Sequence, residues 1–262
     1  MVKAMNAIKY SVENGIGWIT LNRPDSINAI NEDIRRELPL SLVSAERDLD
    51  VKVIVISGEG ERGFCAGADV NEFAEPKSSI EMRNERLHEH WVRVFEKLNK
   101  PVVAAIHGYC LGGGLELAMA CDIRLAATDA VMGLPELSRG VIPGAGGTQR
   151  LSRLVGLGLA LDMILTSKRI SGEEAKNIGL VTRVYAASEL FDEALKLAGE
   201  IAGKAPLATR YAKEAIYKGY DLPMSAALTL ELDLASFISS SEDRLEAGRA
   251  FKEKRKPVFK GR

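Results

Sequence analysis

The sequence predicts an α/β core followed by a helical tail. Two observations carry this. Before residue 135, short β-branched apolar runs alternate with helical stretches, which is the pattern of an α/β fold. From Thr148 onwards helical segments dominate, with a lone late strand at 181–185. The tail reads as a separate layer, or as an arm that packs on a partner subunit.

The elements follow in order. Residues 8–12 and 16–21 read as strands around Asn14-Gly15, a strong hairpin turn. Asn22-Arg23-Pro24-Asp25 ends the second strand. Residues 30–47 read as a helix with Asn31 as N-cap and Leu38, Leu42 and Ala45 on its apolar side, although Pro39 falls inside it. Residues 51–57 are a β-branched run and predict a buried strand. A Gly-rich loop covers 58–69, and a long charged helix is expected over 80–98, stopped by Lys100-Pro101. Residues 102–107 predict a second buried strand, 108–114 a second Gly-rich loop, and 115–121 an apolar helix. Strands are expected at 123–126 and 130–133, then a third flexible loop at 140–147. Helices are expected at 149–154, 159–165, 172–177, 190–203, 208–218, 224–239 and 241–253. There is no plain repeat and no low-complexity linker.

Composition narrows the function classes. The 262 residues are 46% hydrophobic and 27% charged, an ordinary globular profile. At roughly 100–200 residues per domain, this allows one large domain or one with a small appendage. With 35 basic and 36 acidic residues the net charge is −1, which argues against general nucleic-acid binding. Cys65, Cys110 and Cys121 are odd in number and form no C-x-x-C, so neither a disulfide framework nor a zinc knot is expected. Free thiols fit a reducing cytosol. Met1 to Glu13 carries no signal-peptide core or Arg-rich presequence. No apolar run reaches the roughly 20 residues a membrane helix needs. A soluble cytoplasmic protein without a membrane partner is the expectation.

Three small-residue loops stand out: Cys65-Ala66-Gly67-Ala68-Asp69, Gly112-Gly113-Gly114 and Gly144-Ala145-Gly146-Gly147-Thr148. Such loops let a ligand approach the main chain closely, and unpaired amides at a helix N-terminus suit a developing anion. None contains the Gly-Lys-Ser/Thr of a P-loop. Gly156-Leu157-Gly158 lacks the third glycine and the preceding strand of a dinucleotide fingerprint. Any one such loop is more often a turn without a ligand; three together point further. Two carboxylates accompany them. Glu116 lies in an apolar stretch and Glu136 follows Gly133-Leu134-Pro135 directly after a strand. Each reads either as a solvated or ion-paired surface residue or as a buried acid with a raised pKa suited to proton transfer. His88 and His90 diverge on a helix, so they do not make a metal pair. His107 closes an apolar strand and reads as structural. A G-x-S-x-G nucleophile elbow is absent.

At this point the chain resembles a known family. The stretch Ala105-Ile-His-Gly-Tyr-Cys-Leu-Gly-Gly-Gly-Leu-Glu-Leu-Ala-Met-Ala-Cys-Asp122 is similar to the signature of the crotonase (enoyl-CoA hydratase/isomerase) superfamily. So are Phe64-Cys-Ala-Gly-Ala-Asp69, Gly133-Leu-Pro-Glu136, Ile142-Pro-Gly-Ala-Gly-Gly-Thr-Gln-Arg150 and Ala250-Phe-Lys-Glu-Lys-Arg-Lys256. These motifs occur in order over nearly the whole chain.

The resemblance implies a spiral of β-β-α units over residues 1–200 and a helical C-terminal region over 201–262 that drives trimer formation, with trimers often paired into homohexamers. It implies an oxyanion hole from the amides of Ala68 and Gly113, and a water held by Glu116 and Glu136. Hydration of a trans-2-enoyl-CoA is the implied reaction, with Glu116 mainly base and Glu136 mainly proton donor. The CoA end is implied to lie over residues 23–27 and 66–70, touching Ile27, Ala66, Asp69, Val70 and Asn71. Gly112 and Pro135 are likewise implied to bind substrate. Phe251 and Lys254 match positions that reach the nucleotide, often from a neighbouring subunit. The acyl pocket floor is expected near 81–94 and 134–142. No metal or redox cofactor is implied, because coenzyme A arrives as part of the substrate. The same fold also carries Δ3-Δ2 enoyl-CoA isomerases and some RNA-binding homologues; the near-neutral charge and the intact glutamate pair favour the hydratase.

Overall fold

The computed structural model describes residues 6–72, 78–81, 83–84 and 90–262. The hairpin forms where the sequence places it. β1 (Ile8–Glu13) and β2 (Ile16–Leu21) pair antiparallel. Asn14 and Gly15 both take positive φ, 51° and 81°, as a two-residue primed turn requires.

Helix α1 (Glu32–Arg47) starts after Asn31, whose side chain accepts a bond from Ile34 N at 3.0 Å. It runs through Pro39. A mid-helix proline costs about 3 kcal/mol. Ile34, Leu38, Leu42 and Ala45 are all fully buried, and burying a large apolar side chain contributes about 1.5–3 kcal/mol, so the apolar face outweighs the missing bond. Residue 30 is outside the helix and instead bridges Ala68.

β3 (Val53–Gly58), β4 (Val102–Ile106), β6 (Ile123–Ala127) and β9 (Arg183–Tyr185) extend the sheet in parallel, in the order β1-β2-β3-β4-β6-β9. β3 and β4 are buried at every residue, as parallel strands covered on both faces should be. Helix α6 (Leu190–Ala202) packs across β2, β3, β4 and β6.

A second sheet holds three short strands: β5 (Tyr109–Leu111), β7 (Val131–Gly133) and β8 (Arg169–Ser171). β5 and β8 carry no signal in the sequence, because three residues are too few to show alternation. β5 lies inside the expected loop 108–114, and β9 is not the lone late strand. The bridge Cys65↔Cys110 brings the segment after β3 alongside β5. A long strand followed by a short one recurs at β4 and β6, and at β3 an isolated bridge takes the place of the short strand, so the chain winds as the spiral that the resemblance implies.

The expected helix over 80–98 lies partly outside the described residues. Its described end is a 3-10 turn, Trp91–Lys97. Val92, Phe95 and Leu98 are buried, and this spacing of three aligns side chains on a 3-10 helix, not an α-helix. Helix α2 (Gly113–Ala120) begins within the glycines, two residues earlier than expected. Helices α3 (Gly147–Val155), α4 (Leu157–Leu165) and α5 (Gly172–Asn177) follow.

The C-terminal region comprises α7 (Pro206–Tyr220), α8 (Met224–Ser239) and α9 (Glu242–Glu253). Lys213 ties α7 to the core through Asp122 at 2.7 Å, and Tyr217 donates to the same carboxylate at 2.8 Å. Helix α8 buries only Leu234 and leaves Met224, Leu228, Leu232 and Phe237 exposed. The chain end folds back on α9, where buried Asp243 accepts from the amides of Lys260 and Gly261. No helix among the described residues is long and apolar enough to cross a membrane.

Candidate active site

Three segments run side by side at one end of the second sheet. They follow Cys65, β5 and β7, which pair in parallel as Cys65↔Cys110 and Leu111↔Gly133. The first carries Ala68, the second Gly113 and Glu116, and the third Glu136.

The first segment presents Ala68. Its neighbours are bound to the loop before α1: Ala66 N donates to Ile27 O at 2.9 Å, Ile30 N to Gly67 O at 2.7 Å, and Asp69 N to Ile30 O at 3.0 Å. In a parallel bridge of this kind the middle residue's own N–H points away from the partner strand. Ala68 is exposed between buried Gly67 and Asp69. Gly67 takes φ +95°, and a Cβ there would lie 2.8 Å from Leu111 O and 3.3 Å from Gly113 N. Only glycine lets the two loops approach this closely.

The second segment opens α2. Gly112 N donates to Gly133 O and Gly112 O accepts from Glu116 N, which leaves the Gly113 amide in the unpaired first turn. A Cβ placed on Gly113 would be 3.8 Å from Ala68 N. Among the described residues neither the Ala68 nor the Gly113 amide donates to a protein group. The two amides lie close together, at an exposed and a half-buried residue.

Glu116 sits one turn into α2 and is 3% exposed. Its Oε1 accepts from Ala145 N at 2.7 Å and Gly147 N at 2.8 Å. These amides lie at the N-terminus of α3, where the helix dipole favours negative charge. A Cβ on Gly147 would stand 2.9 Å from that oxygen and 2.7 Å from Pro143 Cβ. The third glycine loop is therefore the anchor of Glu116. The sequence marks the loop but not its purpose; an apolar helix carrying one acid, together with a loop rich in small residues, was the available signal.

Glu136 lies in the third segment, on a 3-10 turn Pro135–Arg139 that follows fully buried Leu134. Its Oε1 faces Gly112, 3.2 Å from where a Cβ would be. Its Oε2 is buried with no hydrogen-bond partner among the described residues. Burial pushes its carboxyl up to about 7, and the charge of Glu116 adds to this; its own backbone amide and Arg139 pull the other way. Near neutral pH a large share of Glu136 is thus protonated and able to donate.

The remaining expected contacts fall into two groups. Ile27, Ala66, Asp69, Val70 and Asn71 adjoin the Ala68 segment. The Asp69 carboxylate is used internally: it pairs with Arg23 at 2.9 Å and accepts from both nitrogens of Asn71. The Asn71 amide, and then Arg23, hold it below the usual carboxylate value. Val70 is half-exposed on the short turn Val70–Glu72. Phe251 stands on α9, 86% exposed, and Lys254 is the left-handed residue that ends it; among the described residues α9 has no extensive packing against the glutamate-bearing elements. His107 is buried, with Nε2 bonded to Gly60 O at 2.7 Å, and burial lowers its pKa. A separate cavity of about 740 Å3 between α7 and the end of α2 contains none of these site residues.

Comparisons with known proteins place this geometry. A family model described as enoyl-CoA hydratase/isomerase matches residues 11–262. The chain is 42% identical over 253 residues to a short-chain-enoyl-CoA hydratase of Clostridium acetobutylicum, covering 96% of this chain and 97% of that one. It is 40% identical over 258 residues to a 2,3-dehydroadipyl-CoA hydratase of Escherichia coli, covering 98% and 100%. The crystal structure of an enoyl-CoA hydratase from Bacillus anthracis superposes with a TM-score of 0.93 at 39% identity, covering 98% of this chain and 100% of that one.

Proposed function

The chain belongs to the enoyl-CoA hydratase/isomerase family of the crotonase superfamily, and on that premise we propose that it reversibly adds water to a trans-2-enoyl-CoA, giving a 3-hydroxyacyl-CoA. The observation that carries this reading is the contrast between two neighbouring carboxyls. One is anchored by two amides at a helix N-terminus; the other is held near neutrality with an unpartnered oxygen.

The thioester carbonyl accepts from Ala68 N and Gly113 N. As water attacks C3, the alkene electron pair moves towards C2 and the thioester oxygen, and the two amides stabilise the charge where it develops. Losing one such donor typically costs about 3–4 kcal/mol of activation free energy. Glu116 takes the proton from the attacking water, and Glu136 delivers a proton to C2. The pair then re-equilibrates its proton for the next turnover, so the two acids titrate together. Ile27, Ala66, Val70 and Asn71 form the path of the CoA arm beside the Ala68 segment, with Asp69 bracing it from within. Gly112 and Pro135 line the reacting end.

Phe251 and Lys254 act on the nucleotide of a neighbouring subunit, in a homotrimer or a pair of trimers. The exposed apolar row on α8, Met224, Leu228, Leu232 and Phe237, supports such an assembly. Coenzyme A is part of the substrate, and no resident cofactor is needed for this chemistry.

Purified protein incubated with crotonyl-CoA should remove the conjugated enoyl absorbance, and Glu116→Gln or Glu136→Gln should lower kcat by about 10²–10⁴-fold. A 3-enoyl-CoA supplied in parallel separates hydration from double-bond migration. Dominant migration with negligible hydration, or near-normal turnover in both variants, would overturn the assignment. Light scattering across a concentration series reads the assembly.

A further inference from the structure

Asn28 is fully buried, and every hydrogen bond of its side chain goes to main chain. Oδ1 accepts from Arg23 N at 2.9 Å, while Nδ2 donates to Glu59 O at 3.0 Å and Gly63 O at 2.9 Å. One amide thus joins the loop before α1 to the loop after β3. The joined segment is unusual in conformation. Ile27 and Asn28 both take left-handed φ, 52° and 54°; asparagine tolerates this region, but a β-branched isoleucine does so only under constraint.

From this pair the main chain reaches directly to the candidate oxyanion amide. Ile27 O holds Ala66 N, and Ile30 holds Gly67 O and Asp69 N. The bonds on both sides of Ala68 therefore originate in residues 27–30. Arg23 reinforces the same joint from outside, with Nη1 donating to Ala29 O at 2.5 Å and Nη2 pairing with Asp69 at 2.9 Å. Asn28 grips the inner side of the loop, and Arg23 links its outer side to the Ala68 segment.

We propose that Asn28, assisted by the Arg23 side chain, is the positioning residue that aims the Ala68 amide at the thioester carbonyl. It touches no reacting atom. It acts by holding residues 27–30 in the left-handed turn against which the Ala68 segment is registered. This rests on the reading that Ala68 N grips the carbonyl. Asn28→Asp keeps the size and the acceptor for Arg23 N, but places a carboxylate oxygen against two carbonyls. Asn28→Ala removes all three bonds.

The test compares wild type, Asn28→Asp, Asn28→Ala and Arg23→Met. Leu42→Ala, a fully buried position in α1, serves as a control destabilised away from the site. Two readouts are taken on folded protein. The first is kcat and KM for crotonyl-CoA. The second is the infrared carbonyl band of bound butyryl-CoA carrying 13C at the thioester carbon, which cannot be hydrated. Misplacing a reacting group by about 1 Å costs about 10²-fold, so the Asn28 variants should lose about that much kcat with KM nearly unchanged. Their carbonyl band should move back towards that of free thioester. Arg23→Met should move both in the same direction by less, and Leu42→Ala should leave the band in place.

A wild-type band and wild-type kcat in the Asn28 and Arg23 variants would overturn the proposal. So would an equal band shift in Leu42→Ala. If the Asn28 variants do not fold, Arg23→Met decides alone, and an unmoved band refutes it. A wild type that neither hydrates crotonyl-CoA nor shifts the band removes the hydratase reading itself. A wild type that does both, beside unaffected variants, removes only the positioning role.

Discussion

Replacing Glu136 by glutamine should make the protein more stable at alkaline pH while disabling it. Burial and the charge of Glu116 raise the Glu136 carboxyl from its ordinary 4.5 to about 7. Between those two values the folded chain binds more protons than the unfolded one, so stability falls as pH rises. The favourable contribution is fully present below about 4.5 and is lost as pH passes through about 7. A shift from 4.5 to about 7 corresponds to about 3 kcal/mol. Solvent screening of this part-exposed carboxyl reduces that to about 1–2 kcal/mol. Glutamine has the same shape without the charge. Glu136→Gln should therefore match wild type near pH 4.5 and exceed it by about 1–2 kcal/mol near pH 8. Urea unfolding followed by circular dichroism at both pH values reads the difference, with protein concentration held constant because assembly shifts apparent stability. A variant less stable than wild type near pH 8, or an equal difference at both pH values, would refute the reasoning. In the wild type, hydration should also slow as pH rises through about 7, where Glu136 loses the proton it is proposed to deliver.

Gly147→Ala should reduce kcat about 10²-fold, because the new methyl would stand 2.9 Å from Glu116 Oε1 and 2.7 Å from Pro143 Cβ; unchanged turnover of crotonyl-CoA would contradict the anchoring described for Glu116. Asn31→Ala removes the bond to Ile34 N and should cost about 1 kcal/mol in denaturant unfolding, with little change in KM. The thiols of Cys65 and Cys121 are pushed up to about 12 by burial, and Cys110 is likewise raised. All three are buried and should react with a thiol reagent only as denaturant opens the chain; fast labelling of native protein would count against the packing.

The long elements and the chemical groups were legible in the sequence for different reasons. The hairpin, α1 and the buried strands β3 and β4 follow from local turn chemistry and apolar runs. Glu116 and Glu136 stood out because each acid interrupts an apolar or turn-rich stretch. What stayed hidden depends on contacts distant in sequence. β5 and β8 are three-residue strands that exist because neighbouring strands are there to receive them. The 3-10 turn at Trp91–Lys97 is set by what Val92 and Phe95 pack against. The tie between Glu116 and the amides of Ala145 and Gly147 joins a helix to a loop that carry no pairwise mark. Asn28 is not singled out in the sequence, and only its complete burial against three main-chain groups distinguishes it.

The second sheet also works as a ruler. The segments bearing Ala68, Gly113 and Glu136 emerge from adjacent parallel tracks, and adjacent strands are separated by about 4.8 Å. The ladder thus sets the separation of the three segments, and side chains such as Asn28 fix the turn against which Ala68 is registered. Residues added to loops away from these tracks would leave that separation unchanged.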